Sequence, residues 1–277
     1  MGKILVVGAS GTVGSEISKI LKSKGADVVR ATHKKNLDKD QVHLNLLTHE
    51  GLDSSLKNIE KLFLLSPPGH VNQNELINPV VNHAKKSGVK KIVFMTAMGA
   101  NAVESSPMRQ AEINLEKSGV GFNIIRPNWF MQNFNSYWIE GINKQNKIFL
   151  PVADAKGSFI DARDIAAVAA ELLASDKFSN KDFDLTGTEA LNHSEVASIL
   201  TKVTGRTISY QDITPAQMHS SLLGAGLPKP YADFMLMILD FFKQGYASRI
   251  TDSVEKIVGR KPISFETYAR DFKNAWC

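Results

Sequence analysis

A chain of 277 residues, 43% hydrophobic and 22% charged, is long enough for one large α/β domain or a core domain with a smaller appendage, and its composition excludes disorder as the default state. The formal net charge of +5 is scattered, with no basic run longer than Lys34-Lys35 or Lys85-Lys86, which argues for a solvated mixed surface and against a nucleic-acid partner. Cys277 is the sole cysteine, so no intramolecular disulfide or thiolate metal cluster can be built, and the seven histidines lack metal-ligand spacing. The apolar run after Met1-Gly2-Lys3 is too short for a signal sequence, and no stretch approaches the roughly 20 apolar residues that span a bilayer. The expectation is a cytoplasmic protein with no membrane partner and no bound metal.

Lys3 to Val7 is a continuous apolar run suited to a strand buried on both faces. Ile17, Ile20 and Leu21 recur at helical spacing, and Gly25 closes that helix. Asp27 to Thr32 reads as a second strand, and Lys61 to Ser66 as another, stopped by Pro67-Pro68-Gly69. Leu76, Ile77, Val80, Val81 and Ala84 form one helical face, and the strand Lys91 to Met95 follows Ser87-Gly88. A helix from Pro107 to Lys117 leads to the strand Phe122 to Ile125, ended by Arg126-Pro127. Strands alternating with helices in this way imply βαβ units and a parallel sheet covered on both faces.

After Pro127 the pattern changes. Asn128 to Ser136 carries Trp129, Phe130 and Phe134 among three asparagines, without clear periodicity. Ile165, Val168, Leu172 and Leu173 predict a helix, Thr214-Pro215-Ala216-Gln217 a capped helix start, and Phe234 to Phe242 a strongly apolar helix preceded by chain breaks at Pro228 and Pro230. The reading is an α/β Rossmann-type doubly wound parallel sheet with a smaller, largely helical C-terminal substrate lobe. Residues 1–127 would form the dinucleotide-binding core and 128–277 the mixed substrate lobe, with segments around 155–190 returning to the core sheet.

Gly8-Ala9-Ser10-Gly11-Thr12-Val13-Gly14 directly follows the first strand and opens the first helix. One glycine permits the tight strand-to-helix turn, one lets backbone N–H groups approach a pyrophosphate, and the last lets helix lie close on strand. The helix N-terminus adds unpaired donors and partial positive charge. No Gly-Lys-Ser/Thr follows, so the turn is not a Walker phosphate loop. At the end of the second strand, where NAD-preferring folds place an acid on the ribose hydroxyls, the chain reads Arg30-Ala31-Thr32-His33-Lys34-Lys35 and has no acid until Asp38. A positive cluster at His33 and Lys34 suits a 2′-phosphate, which favours NADP(H) over NAD(H).

These residues give the chain a resemblance to the NmrA-like branch of the atypical short-chain dehydrogenase/reductases, a branch that includes type-two quinone oxidoreductases and triphenylmethane-dye reductases. It is carried by G-A-S-G-T-V-G at 8–14, K-I-V-F-M-T-A-M-G-A at 91–100, I-I-R-P-N-W-F-M-Q-N-F at 124–134, F-I-D-A-R-D-I-A at 159–166 and F-D-L-T-G-T-E-A-L at 183–191. The resemblance implies that Ser66, Pro67, Thr96, Ala97 and Met98 lie beside the ribose and nicotinamide. It also implies that the stretch holding Asn128, Trp129, Phe130, Asn133 and Phe134 lines the substrate side. Asp161, Arg163 and Asp164 read as a helix N-terminus tied by charged hydrogen bonds, and Asn192-x-x-Glu195 after Thr186-Gly187 as a helix cap.

The Tyr-x-x-x-Lys pair of carbonyl-reducing short-chain dehydrogenases is missing, since none of the five tyrosines (137, 210, 231, 246, 268) has lysine four residues later. Where some relatives carry a catalytic lysine, this chain has Arg109 or Gln110; Glu112 could act there, but a helical Glu is more often a surface or capping charge, and the catalytic residues are unknown from sequence. Two functions follow. One is an NADPH-dependent oxidoreductase delivering hydride to a quinone-like or other conjugated small-molecule acceptor, which stabilises the incoming charge itself. The other is a non-catalytic NADP(H)-binding redox sensor of the NmrA type. The oligomeric state, a homo-oligomer included, is left open.

Overall fold

Ile4, Leu5 and Val6 form a wholly buried strand, as an unbroken apolar run flanked by helices on both faces requires. The computed structural model describes residues 2–34 and 37–276. Its strands are β1 (Ile4–Val6), β2 (Val28–Thr32), β3 (Gln41–His43), β4 (Lys61–Leu65), β5 (Lys91–Met95), β6 (Gly121–Pro127), β7 (Lys147–Leu150), β8 (Lys181–Leu185) and β9 (Ser209–Asp212). The helices are α1 (Thr12–Ser23), α2 (Leu52–Ser55), α3 (Gln73–Lys86), α4 (Pro107–Lys117), α5 (Ile139–Gln145), α6 (Ala162–Ala174), α7 (His193–Thr204), α8 (Pro215–Gly224), α9 (Lys229–Lys243), α10 (Ser253–Val258) and α11 (Phe265–Asp271).

The chain divides into two units, each discontinuous: Met1–Pro127 with Arg163–Asp184 and Lys256–Gly259, and Asn128–Ala162 with Leu185–Glu255 and Arg260–Cys277. The first unit holds a sheet in the order β3-β2-β1-β4-β5-β6-β8. From β1 the chain steps outward to β2 and β3, then returns to β4 and proceeds the other way, so the order reverses between β1 and β4, the switch point of a doubly wound sheet. Parallel pairing brings the carboxyl ends of β1, β2, β4, β5 and β6 to one edge. On one face Leu5, Leu62, Leu64, Ile92, Phe94 and Ile124 meet Ile77, Val80, Val81 and Ala84 of α3 and Ala111 and Leu115 of α4. Each such side chain contributes about 1.5–3 kcal/mol when fully buried, less for alanine. At the opposite edge Lys61 and Lys91 donate to the carbonyls of Leu173 and Ser175, each at 2.8 Å, capping the end of α6 with positive charge. Burial pushes the Lys91 ammonium down, with Asp176 at 3.6 Å opposing it.

Several expectations need correction. Strand β3 and helix α2 were not read from sequence, and β6 runs through Arg126 and Pro127 rather than ending before them. Helix α9 begins at Lys229 with Pro230 in its first turn, where a missing N–H costs no helical bond. The second unit contains, besides its helices, a parallel pair of β7 and β9 in register Lys147 with Ser209. Its core gathers Phe134, Phe159, Phe265, Tyr268 and Trp276 with Leu200, Leu239 and Phe242. The cap expected at Thr214 is present, with Thr214 and Gln217 side chains bonded reciprocally to backbone N–H groups, and Asn192 with Glu195 forms the same box on α7. No helix among the described residues is long and apolar enough to cross a membrane.

Candidate functional site

The glycine turn is built as its sequence demands. Gly8 has φ +70°, a conformation that penalises any side chain, and Gly11 N–H donates to its carbonyl at 2.9 Å to close the turn. A Cβ on Gly14 would lie 2.2 Å from the Gly8 oxygen, so glycine alone lets α1 sit this close to the end of β1. On Gly11 a Cβ would lie 3.3 Å from the same oxygen. Ala9, Val13 and Gly14 are buried, whereas Ser10, Gly11 and Thr12 face outward. Helix α1 has no acid in its first turn and, unlike α4, α7, α8 and α11, no side-chain cap. Its first N–H groups therefore keep their hydrogen-bonding capacity and partial charge for an anion.

The neighbouring strand ends supply the rest of this edge. Ser66 follows β4, and its buried hydroxyl has no protein partner; Pro67 comes next. Thr96 and Met98 N–H groups after β5 donate to the carbonyls of Ile125 and Pro127 at 2.9 and 3.0 Å, with Ala97 exposed between them. Beyond β2, His33 and Lys34 are exposed, while Lys35 lies outside the described residues. Arg30 is spent internally, donating to Asp40 at 2.6 and 3.0 Å and to Asp38 at 3.3 Å. Hydrogen bonds from Arg30 and then Lys22 hold the Asp40 carboxyl well below the usual carboxylate range. The nearest acids are thus neutralised by partners, and the outward charge after β2 is positive.

Behind Thr96 lies a buried charge network. Glu112 of α4 is fully buried and its two oxygens receive four donors: Thr96 Oγ1 at 2.7 Å, Arg126 Nε and Nη2 at 2.8 Å each, and Arg109 Nη1 at 2.9 Å. Arg126 also bonds Asp182, and its Nη1 stands 3.9 Å from Asp184. Burial alone would push the Arg126 guanidinium down, but the hydrogen bonds to Glu112 and Asp182 outweigh it and raise it. Glu112 is therefore not the surface or capping charge its helical position suggested. Arg109 is shared between Glu112 and Glu116, and Gln110 is turned to the Glu104 carbonyl at 2.8 Å.

The aromatic stretch after Pro127 belongs to the second unit and divides by role. Asn128 is buried with its amide nitrogen on Ser158 Oγ and the Ala247 carbonyl, both at 2.7 Å, and its oxygen on the Trp129 N–H at 2.9 Å. Phe134 is fully buried, edge-on to Trp138, Phe159 and Phe265. These two side chains serve the interior. Trp129, Phe130 and Asn133 stay half-buried; the Trp129 ring stacks on Trp138 at 6.1 Å and meets Phe242 edge-on at 5.6 Å. Gln132, which sequence reasoning passed over, anchors the stretch by bonding Asp161 at 3.0 Å and the Ala162 N–H at 2.9 Å.

The family model described as the NmrA-like family matches residues 1–269. The chain belongs to the NmrA-like family. It is similar to an NAD(P)H azoreductase from Xenophilus azovorans, with 30% identity and 96% of each chain covered. Among solved structures, the Citrobacter sp. triphenylmethane reductase complexed with NADP(H) superposes with a TM-score of 0.84 at 21% identity, covering 97% of this chain and 99% of that one. The NADPH-dependent quinone oxidoreductase from Escherichia coli gives 0.82 at 22% identity, covering 98% and 100%. In this NmrA-like chain Gly8 and Gly14 were legible from sequence because each has a steric requirement. The network around Glu112 was not, although an arginine inside a buried strand at 126 is itself a signal that an acid must face it.

Proposed function

We propose that this chain is an NADPH-dependent oxidoreductase whose acceptor is a planar conjugated small molecule of the quinone or dye type. The observation that carries the reading is the Gly8–Gly14 turn, in which Gly14 lets α1 lie against the end of β1 and exposed Ser10, Gly11 and Thr12 lead into an uncapped helix N-terminus at the switch point of the sheet. The residues present fit a dinucleotide. Gly8, Ala9, Ser10, Gly11, Thr12, Val13 and Gly14 would hold the pyrophosphate, with exposed His33 and Lys34 facing the 2′-phosphate. Ser66, Pro67, Thr96, Ala97 and Met98 would border the ribose and nicotinamide, where the unpartnered Ser66 hydroxyl supplies a hydrogen-bonding group. Bound NADPH supplies the hydride. Trp129 and Phe130 would give the acceptor flat apolar surface, with Asn133 to orient an oxygen. A conjugated acceptor delocalises the charge it gains, so solvent can deliver the proton and the missing Tyr–Lys pair is no obstacle.

The azoreductase and the two reductases with solved structures support this reading, as all are named for reducing such acceptors. The test is a binding titration with NADPH, then the loss of reduced-nicotinamide absorbance over a panel of quinones, azo dyes and triphenylmethane dyes. Turnover of at least one class is expected. Tight NADPH binding with no oxidation across the panel would replace the enzyme by a redox-sensing binding protein.

A further inference from the structure

Glu112 has no part in the reading above, yet it controls the one hydroxyl among the proposed nicotinamide-side residues that is bonded to a buried charge. A threonine hydroxyl carries one proton and two lone pairs. In Thr96 the proton points to Glu112 Oε1 at 2.7 Å, and the backbone on either side is fixed by the bonds of Thr96 N–H to Ile125 and of Met98 N–H to Pro127. Each oxygen of Glu112 receives two donors, and the carboxylate is wholly buried. Turning the Thr96 proton elsewhere would leave a buried carboxylate oxygen short of a donor, a loss charged groups resist strongly. The hydroxyl at the carboxyl end of β5 is thereby left to offer lone pairs.

We propose that Glu112, held by Arg126 and Arg109, is a positioning residue that fixes the direction of the Thr96 hydroxyl, so that Thr96 serves the bound nucleotide as a hydrogen-bond acceptor. Its complement is an N–H or O–H donor of the ligand, the carboxamide or a ribose hydroxyl. This rests on the NADPH reading of the site and deepens it. Glu112 touches no ligand itself; it acts through Thr96.

The experiment measures the Kd for NADPH and the melting temperature of the full chain and of Thr96→Ser, Thr96→Val, Glu112→Gln, Glu112→Asp and the double variant Thr96→Val/Glu112→Gln. Thr96→Ser should bind as the unaltered protein does, and Thr96→Val about tenfold more weakly. Glu112→Gln, whose amide can occupy a Thr96 lone pair, should weaken binding several-fold, and the double variant should be no weaker than Thr96→Val alone. Glu112→Asp keeps the negative charge beside the arginines but draws both carboxylate oxygens back by one methylene, away from Thr96. It should weaken NADPH in the same way even if Glu112→Gln does not fold. Normal affinity in folded Glu112→Asp, or strictly additive losses in the double variant, would overturn the positioning role. Normal affinity in Thr96→Val alongside weakened binding in Gly11→Val would overturn this inference and leave the cofactor reading standing. Failure of the unaltered protein to bind NADPH would overturn both.

Discussion

Acidification should weaken the fold through a single imidazole. His193 opens α7 and is 1% exposed, ringed by Tyr210, Phe242, Phe159, Trp138 and Phe134 with centroids 5.4–5.9 Å away. Neither ring nitrogen has a hydrogen-bond partner, and burial pushes its pKa from 6.5 down to about 3. Between those values the unfolded chain binds a proton that the folded chain refuses, so stability falls as the pH falls and levels off only below the folded pKa. At pH 5 the unfolded imidazole lies about 1.5 units below its own pKa while the folded one is still neutral, which at about 1.4 kcal/mol per unit costs about 2 kcal/mol. At pH 7 the cost is close to zero. The assay is urea unfolding at both pH values for the unaltered protein and for His193→Leu, which cannot titrate. Other groups titrate alike in both, so the unaltered protein should lose about 2 kcal/mol more than the variant. Parallel losses would refute the reasoning, because they would mean that the folded imidazole accepts a proton as readily as the unfolded one.

The remaining predictions concern the site. Gly11→Val, whose Cβ starts 3.3 Å from the Gly8 oxygen, should keep the fold and lower NADPH affinity at least about tenfold in a fluorescence titration. Gly14→Ala should also be destabilised, by about 1–3 kcal/mol in denaturant unfolding, because the new methyl meets backbone at 2.2 Å. Replacing His33 and Lys34 together by alanine should weaken NADPH more than NADH, and added salt should do likewise; equal losses would show that the pair does not read the 2′-phosphate. Trp129→Ala should raise KM for the acceptor or lower kcat while leaving NADPH affinity nearly intact, and an unchanged acceptor profile would remove Trp129 from the acceptor site.

What could be read from sequence depended on whether the cause was local. β1, β4 and β5 are buried apolar runs, and the caps at Thr214 and Asn192 are complete within four residues, so both were visible. β3 is only Gln41-Val42-His43, half-buried, and β9 is mostly exposed Ser209-Tyr210-Gln211-Asp212; such strands exist because a neighbour offers an edge, which no local pattern announces. Within the site, Gly8 and Gly14 are dictated by backbone geometry a few residues away. Glu112 has one partner, Arg109, on its own helix, but Arg126 and Thr96 lie 14 and 16 residues off on other elements, so its burial could not be inferred from its helix alone. In the same way Phe134 and Trp129 look alike in the sequence, yet Phe134, in the 3-10 turn Met131–Asn135, is fully buried while Trp129, before the turn, stays half-exposed.

The three-part make-up of the first unit bears on how the protein is made. When the ribosome has released the first 127 residues, six strands of the central sheet exist, but β8, the outer neighbour of β6, does not. Asp182, which Arg126 engages, and the α6 carbonyls that receive Lys61 and Lys91 are also still to come. The nascent chain at that stage carries an open sheet edge and charges without all of their counterparts, and the last piece of the unit, Lys256–Gly259, follows the whole of β8 and α9. Completion of the first unit therefore waits on residues far beyond Pro127, and cutting the chain after Pro127 yields an incomplete half rather than a smaller protein.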